Sequence, residues 1–91
     1  MTAYRLVAEP RADLDVTAGL GVQFLNQLSV TYDRIAEDPR RYQDLESGIR
    51  RALLHRFPYA VYFALESDLV VVLAVLHVSR APAEWQRRRR I

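Results

Sequence analysis

With 91 residues, 51% of them hydrophobic and 26% charged, the chain has the make-up of one globular domain, residues 1–91. The absence of cysteine excludes a disulfide framework and a thiolate zinc site, and the sequence holds no metal or cofactor motif. No basic stretch with an apolar run behind it opens the chain, and the longest apolar run, Leu69 to Leu76, is too short to span a bilayer. A cytoplasmic protein that stays off membranes is therefore expected.

Net charge is +2, unevenly spread. Residues 1–48 carry five arginines against eight acids, a balance of −3; residues 49–91 carry eight arginines against three acids, a balance of +5. The second half is thus the one suited to an acidic surface, of nucleic acid or of protein. All 13 lysine-or-arginine positions are arginine, the side chain that grips carboxylate or phosphate with two hydrogen bonds. A genome rich in G·C codons gives the same bias with no functional meaning.

In chain order, Tyr4 to Ala8 predicts a first strand. Arg11 to Ala18 predicts a short helix, with acids near its start where the dipole favours them. Gly19-Leu20-Gly21 supplies the positive φ of a tight helix–helix turn. Val22 to Glu37 predicts the main helix: Leu25, Leu28, Tyr32 and Ile35 recur every three or four residues, as a core stripe does. Asp38-Pro39 stops it, because a residue before proline avoids the α region.

Arg40 to Gly48 is polar and predicts a loop, and Ile49 to Phe57 predicts a strand with one exposed face or edge. Pro58 cannot donate to a ladder and belongs at a bend or strand start. Tyr59 to Leu65 predicts a strand with Tyr59, Val61, Phe63 and Leu65 on one face, Ala60, Tyr62 and Ala64 on the other. Glu66-Ser67-Asp68 makes a hairpin turn. Leu69 to Val78 is aliphatic without alternation, which predicts a central strand buried on both faces. A basic tail, residues 81–91, follows, with Pro82 placed for the first turn of a short helix. The compact solution is α+β: one antiparallel-meander sheet with an N-terminal helical hairpin packed on one face, in the order β-α-α-β-β-β, then a short C-terminal helix or tail.

An ordered series of motifs resembles the ParE branch of the ParE/RelE superfamily, the toxin halves of bacterial type II toxin–antitoxin pairs. It comprises Gly19, Leu20, Gly21 and Phe24 at a helix start; Asp38 to Tyr42 at its end; Ile49 to Leu53; Arg56 to Phe63; and Val72 to Trp85. The resemblance spans about residues 4–88 and agrees with the fold just derived, although the eight residues available for the first helix are fewer than family members usually carry. It implies a toxin that traps DNA gyrase on cleaved DNA by binding, as a plasmid-stabilisation module does. It also implies a cognate antitoxin, in a hetero-oligomeric complex, whose disordered C-terminal segment folds as it docks.

The sister RelE-like branch cuts ribosome-bound messenger RNA, which needs a base, an acid and cations around a charged transition state. Such sites generally hold a tyrosine or histidine near the C-terminus. Here the corresponding aromatic is Trp85, whose indole N–H donates but does no acid–base work, and the chain has no lysine. Binding is therefore the expected mode, with no catalytic residue assigned, and a ribonuclease is the alternative. A general nucleic-acid module ranks last, because no phosphate loop or groove-reading motif is present.

Gyrase contact is assigned to His77, Arg80, Trp85, Arg87 and Arg88, and antitoxin contact to Leu25, Arg50, Arg51, Arg56 and Tyr59. Each has a plainer reading. His77 can hydrogen-bond within the fold, Trp85 can pack the tail, Arg80 can pair with Glu84, and Arg50, Arg51, Arg56 and the Arg87–Arg90 run can be solvated charges.

Overall fold

The computed structural model describes residues 4–14, 21–46 and 48–79. Five strands and one α-helix lie among them: β1 (Arg5–Leu14), α1 (Gly21–Glu37), β2 (Asp44–Glu46), β3 (Ile49–Leu53), β4 (Tyr59–Glu66) and β5 (Leu69–His77), with a 3₁₀ turn at Pro39–Arg41. The strands form one sheet in the order β1-β5-β4-β3-β2.

The α+β class and the β3-β4-β5 meander agree with expectation. The sheet as a whole does not. β1 joins it parallel to β5, so the sheet is mixed rather than a pure antiparallel meander. The helical hairpin is also corrected. Residues 11–14 of the expected first helix continue β1, and its remainder, 15–18, lies outside the described residues with Gly19, Leu20 and the basic tail.

Local helix signals at Arg11–Ala18 were worth only about 0.3–1 kcal/mol each. Against them stands an apolar strand with an edge to fill. Arg5 to Ala8 pair with Leu69 to Val72, then Asp13 and Leu14 pair with Ala74 and Val75. Between them residues 9–12 loop past the single Leu73, and this break in the ladder is where a strand can hold Pro10.

Leu73 breaks the other ladder as well. Tyr62 pairs with Ala74 and Phe63 with Val72, so Leu73 is the extra residue of a bulge on β5. The bulge shifts the side-chain alternation: Val70, Val72 and Val75 join the core face under α1, whereas Val71, Leu73, Ala74 and Leu76 join the opposite set. Both sets are buried, as the unalternating sequence of β5 required. β4 alternates cleanly, with Tyr59, Val61 and Phe63 on the helix side and Ala60, Tyr62 and Ala64 on the other.

α1 spans the predicted segment and starts one residue early. Gly21, at φ +74°, takes a backbone conformation that side chains with a Cβ resist. Its buried residues are Phe24, Thr31 and Ile35, with Leu28 and Tyr32 half-buried beside them. Leu25, expected in the core stripe, is 56% exposed because it turns onto the helix flank. Phe24 is the key of the packing. Its ring meets Phe57 edge-on at 5.3 Å and Tyr59 at 5.1 Å. Thr31, buried on the same face, satisfies its hydroxyl by donating to the Gln27 carbonyl at 2.7 Å.

The helix ends as expected at Asp38-Pro39. The segment from Arg40 to Gly48, expected as a loop, carries part of the 3₁₀ turn and the short strand β2. A three-residue strand shows no period-2 pattern from which it could be read. β3 stops at Leu53 rather than Phe57. The Leu54 N–H donates to the Tyr59 carbonyl at 2.9 Å, and the Tyr59 N–H closes a tight turn around Pro58 onto the Phe57 carbonyl at 2.7 Å. Closing this connection holds Arg56 at φ +75°, a left-handed conformation unfavourable for a residue with a Cβ.

Phe24→Ala should lower the unfolding free energy by about 3–5 kcal/mol, read from urea midpoints, whereas Val22→Ala on the exposed flank should stay within about 0.5 kcal/mol. Burial raises the Tyr32 phenol above its ordinary value. The folded state therefore holds that proton more tightly than the unfolded chain does. This contribution to stability is intact below about pH 10 and is lost as pH climbs through the raised folded value. Tyr32→Phe should flatten the alkaline fall in the urea midpoint, and an unchanged slope would refute the assignment.

Candidate functional site

α1 crosses one face of the sheet and offers two flanks. The Tyr4 N–H donates to the Ala36 carbonyl at 2.9 Å, which ties the end of the helix to the start of β1. Helical spacing puts Leu25 and Val22 on the flank that Ala36 shares, the β1 side. The opposite flank carries Gln23, Gln27, Val30 and Arg34 and faces the end of β3.

On that second side the chain leaves two adjoining hollows. One, of about 410 Å³, lies between α1 (Val30, Thr31, Arg34), the turn at Arg41 and Tyr42, and the β3 end at Leu53 and His55. The other, of about 450 Å³, is lined by Gln23, Asn26, Arg56 and Phe57. Gln27 borders both, so together they form one groove along the helix. Its floor is apolar at Val30 and at Leu53, a leucine 60% exposed on an edge strand. Its rim carries Arg34, Arg41, Arg56 and His55, and no carboxylate lines either hollow among the described residues. A concave wall with cations and no anions concentrates negative groups from solution.

The turn that forms one wall is held from below. The Arg50 guanidinium donates to the Tyr42 carbonyl at 2.5 Å and to the Arg40 carbonyl at 3.5 Å. Tyr42 packs edge-on against Phe63 at 5.9 Å, with the Arg41 guanidinium 5.6 Å from its ring centre. Arg40 donates to the Tyr4 hydroxyl at 3.3 Å.

The residues assigned to an antitoxin are thus not brought together. Arg56 lines the groove, and Arg51 is exposed on β3 beside it. Arg50 is half-buried and its donors are directed at backbone, a fold-holding arrangement. Tyr59 is buried, its ring against Phe24 and His77, because the alternation of β4 turns it toward the helix. Leu25 sits on the other flank of α1. Of the residues assigned to gyrase, His77 alone is described; Arg80, Trp85, Arg87 and Arg88 lie outside the described residues.

His77 ends β5, half-buried and paired in register with Tyr59, whose ring it meets at 5.2 Å. The Ser79 N–H donates to His77 Nδ1 at 3.1 Å, and the Ser79 hydroxyl stands 2.9 Å from the same atom. A nitrogen that accepts from a backbone N–H carries no proton, so this geometry assigns the ring proton to Nε2. The arrangement matches the plainer reading, in which the imidazole serves the fold.

Sequence reasoning missed Val30, Arg34, Arg41 and Leu53 as groove residues and took His55 for an exposed strand residue. One signal was available: Val30 falls off the apolar stripe of α1, on the same flank as Gln27 and Arg34.

Among the described residues no group of three or more histidine, aspartate or glutamate side chains is placed to hold a metal ion, and no helix is long and apolar enough to cross a membrane. Neither a curated protein nor a solved structure shows significant similarity to the chain. A family model does: residues 4–82 match the family described as ParE toxin of type II toxin-antitoxin system, parDE. The chain therefore belongs to the ParE toxin family of type II toxin–antitoxin systems.

Proposed function

We propose that the chain poisons DNA gyrase by binding it, makes and breaks no bond itself, and is held silent by a cognate antitoxin. The family match across residues 4–82 is the observation that carries this reading, because ParE-branch toxins are distinguished from their RelE-like relatives by that target. The chemistry of the chain is in keeping with it. His77 Nδ1 accepts hydrogen bonds within the fold, and the aromatic near the C-terminus is Trp85, which has no proton to exchange near neutral pH.

A poison of this kind works by differential affinity. It must bind the cleaved-DNA state of gyrase more tightly than the resealed state, and each tenfold of preference shifts that equilibrium by about 1.4 kcal/mol. Arg80, Trp85, Arg87 and Arg88, with His77 at their base, form the proposed gyrase contact. Tryptophan and arginine are the side chains that dominate well-packed interfaces.

Expression without an antitoxin should arrest bacterial growth and induce a DNA-damage response. Purified chain added to gyrase and supercoiled plasmid should leave linear DNA after detergent and protease treatment. Removing residues 81–91 should abolish both effects. Cleaved ribosome-bound transcripts, with gyrase unaffected, would instead transfer the chain to the RelE side; toxicity that survives the truncation would refute the gyrase contact.

A further inference from the structure

The groove beside α1 adjoins an open piece of sheet edge. β2 pairs with β3 only as far as Asp44 opposite Arg50, so among the described residues no strand pairs with β3 at Ala52 or Leu53. The Leu54 N–H points inward to Tyr59. In an antiparallel ladder successive residues alternate, so the Leu53 N–H and C=O point outward, over the groove. An outward edge with a leucine and a valine beside it is a template for an added strand.

The charges say what the added strand carries. Arg34 and Arg56 have no ion-pair partner among the described residues, and no carboxylate lines the groove with them. Stacked bases fit less well, because the bordering rings are engaged in packing: Tyr42 with Phe63, and Phe57 with Phe24. Arg56 adds a second observation. Its backbone is held at φ +75° although glycine would relieve the strain. Its exposed guanidinium borders the hollow beside Phe57. Strain kept at an exposed, groove-lining cation points to use of that cation.

We propose that this edge and groove receive an extended, acidic segment of a partner protein. Its main chain pairs with Leu53, one large apolar side chain settles between Val30 and Leu53, and its carboxylates meet Arg34, Arg41 and Arg56. The proposal rests on the toxin reading and identifies the segment as part of the antitoxin. It moves the antitoxin surface from the Leu25 flank of α1 to the β3 flank.

The probe is the co-encoded protein from the neighbouring reading frame that neutralises the chain. In the complex, amide exchange at Leu53 should slow at least tenfold. Arg34→Glu combined with Arg41→Glu should weaken the complex at least tenfold, while Val22→Glu on the opposite flank should change it less than about twofold. Arg56→Gly should raise the urea midpoint of the free chain and still weaken the complex, an outcome that misfolding does not produce. A complex that forms with Leu53 unprotected, or that is lost with Val22→Glu and kept with the double arginine variant, overturns the proposal. So does Leu53 protection that grows with concentration of the chain alone, which assigns the edge to a second copy, or loss of DNA binding alone in the double variant. Should no co-encoded protein neutralise the chain, the toxin reading falls first and this proposal with it.

Discussion

β5 is buried on both faces from Val70 to Leu76, and a strand so placed has no water to satisfy its backbone. Its N–H and C=O groups must find partners along both edges. β4 supplies one edge through a turn of two residues, and the chain must bring the other from elsewhere. It brings β1, from the far end of the sequence and in parallel orientation. The mixed sheet, the conversion of residues 11–14 from expected helix to strand, and the double ladder break at Leu73 all follow from that requirement.

With β1 and β4 fixed on either side of β5, the helix has one face to cover. Phe24 enters between Phe57 and Tyr59 and Ile35 closes the core further along, which sets how α1 lies across the sheet. The orientation decides which side chains become flanks. Val30 and Arg34, each a helical position away from the core stripe, end up opposite the last residue of β3. The groove is thus a by-product of core packing, and its cations come from three separate parts of the chain: α1, the 3₁₀ turn and the β3–β4 connection.

The division between holding groups and offered groups is set by hydrogen bonding. Arg50 and His77 are the polar side chains most firmly engaged within the described fold, the first bracing the turn at Tyr42 and the second fastening the end of β5. Arg34, Arg51 and Arg56 stand exposed. Nearby residues of one type therefore differ in role, since Arg50 faces the helix side of an edge strand and its neighbour Arg51 faces away. For a protein that acts by binding, the exposed set is the one free to exchange solvent for a partner's carboxylates, and the engaged set keeps the surface rigid enough to be recognised.

The sequence by itself determined the features carried by local pattern: α1 from its 3.6-residue stripe, its end at Asp38-Pro39, the two faces of β4 from strict alternation, and the central burial of β5 from the lack of any. The ordered motifs also carried the family. Tertiary structure alone decided the parallel docking of β1, the three-residue β2, the end of β3 at Leu53 and the residues that share the groove. The reason is physical. Periodicity reports which side of an element is apolar, but strand pairing and helix orientation are set by backbone groups and rings distant in the chain, whose contacts leave no local mark on the residues they bring together.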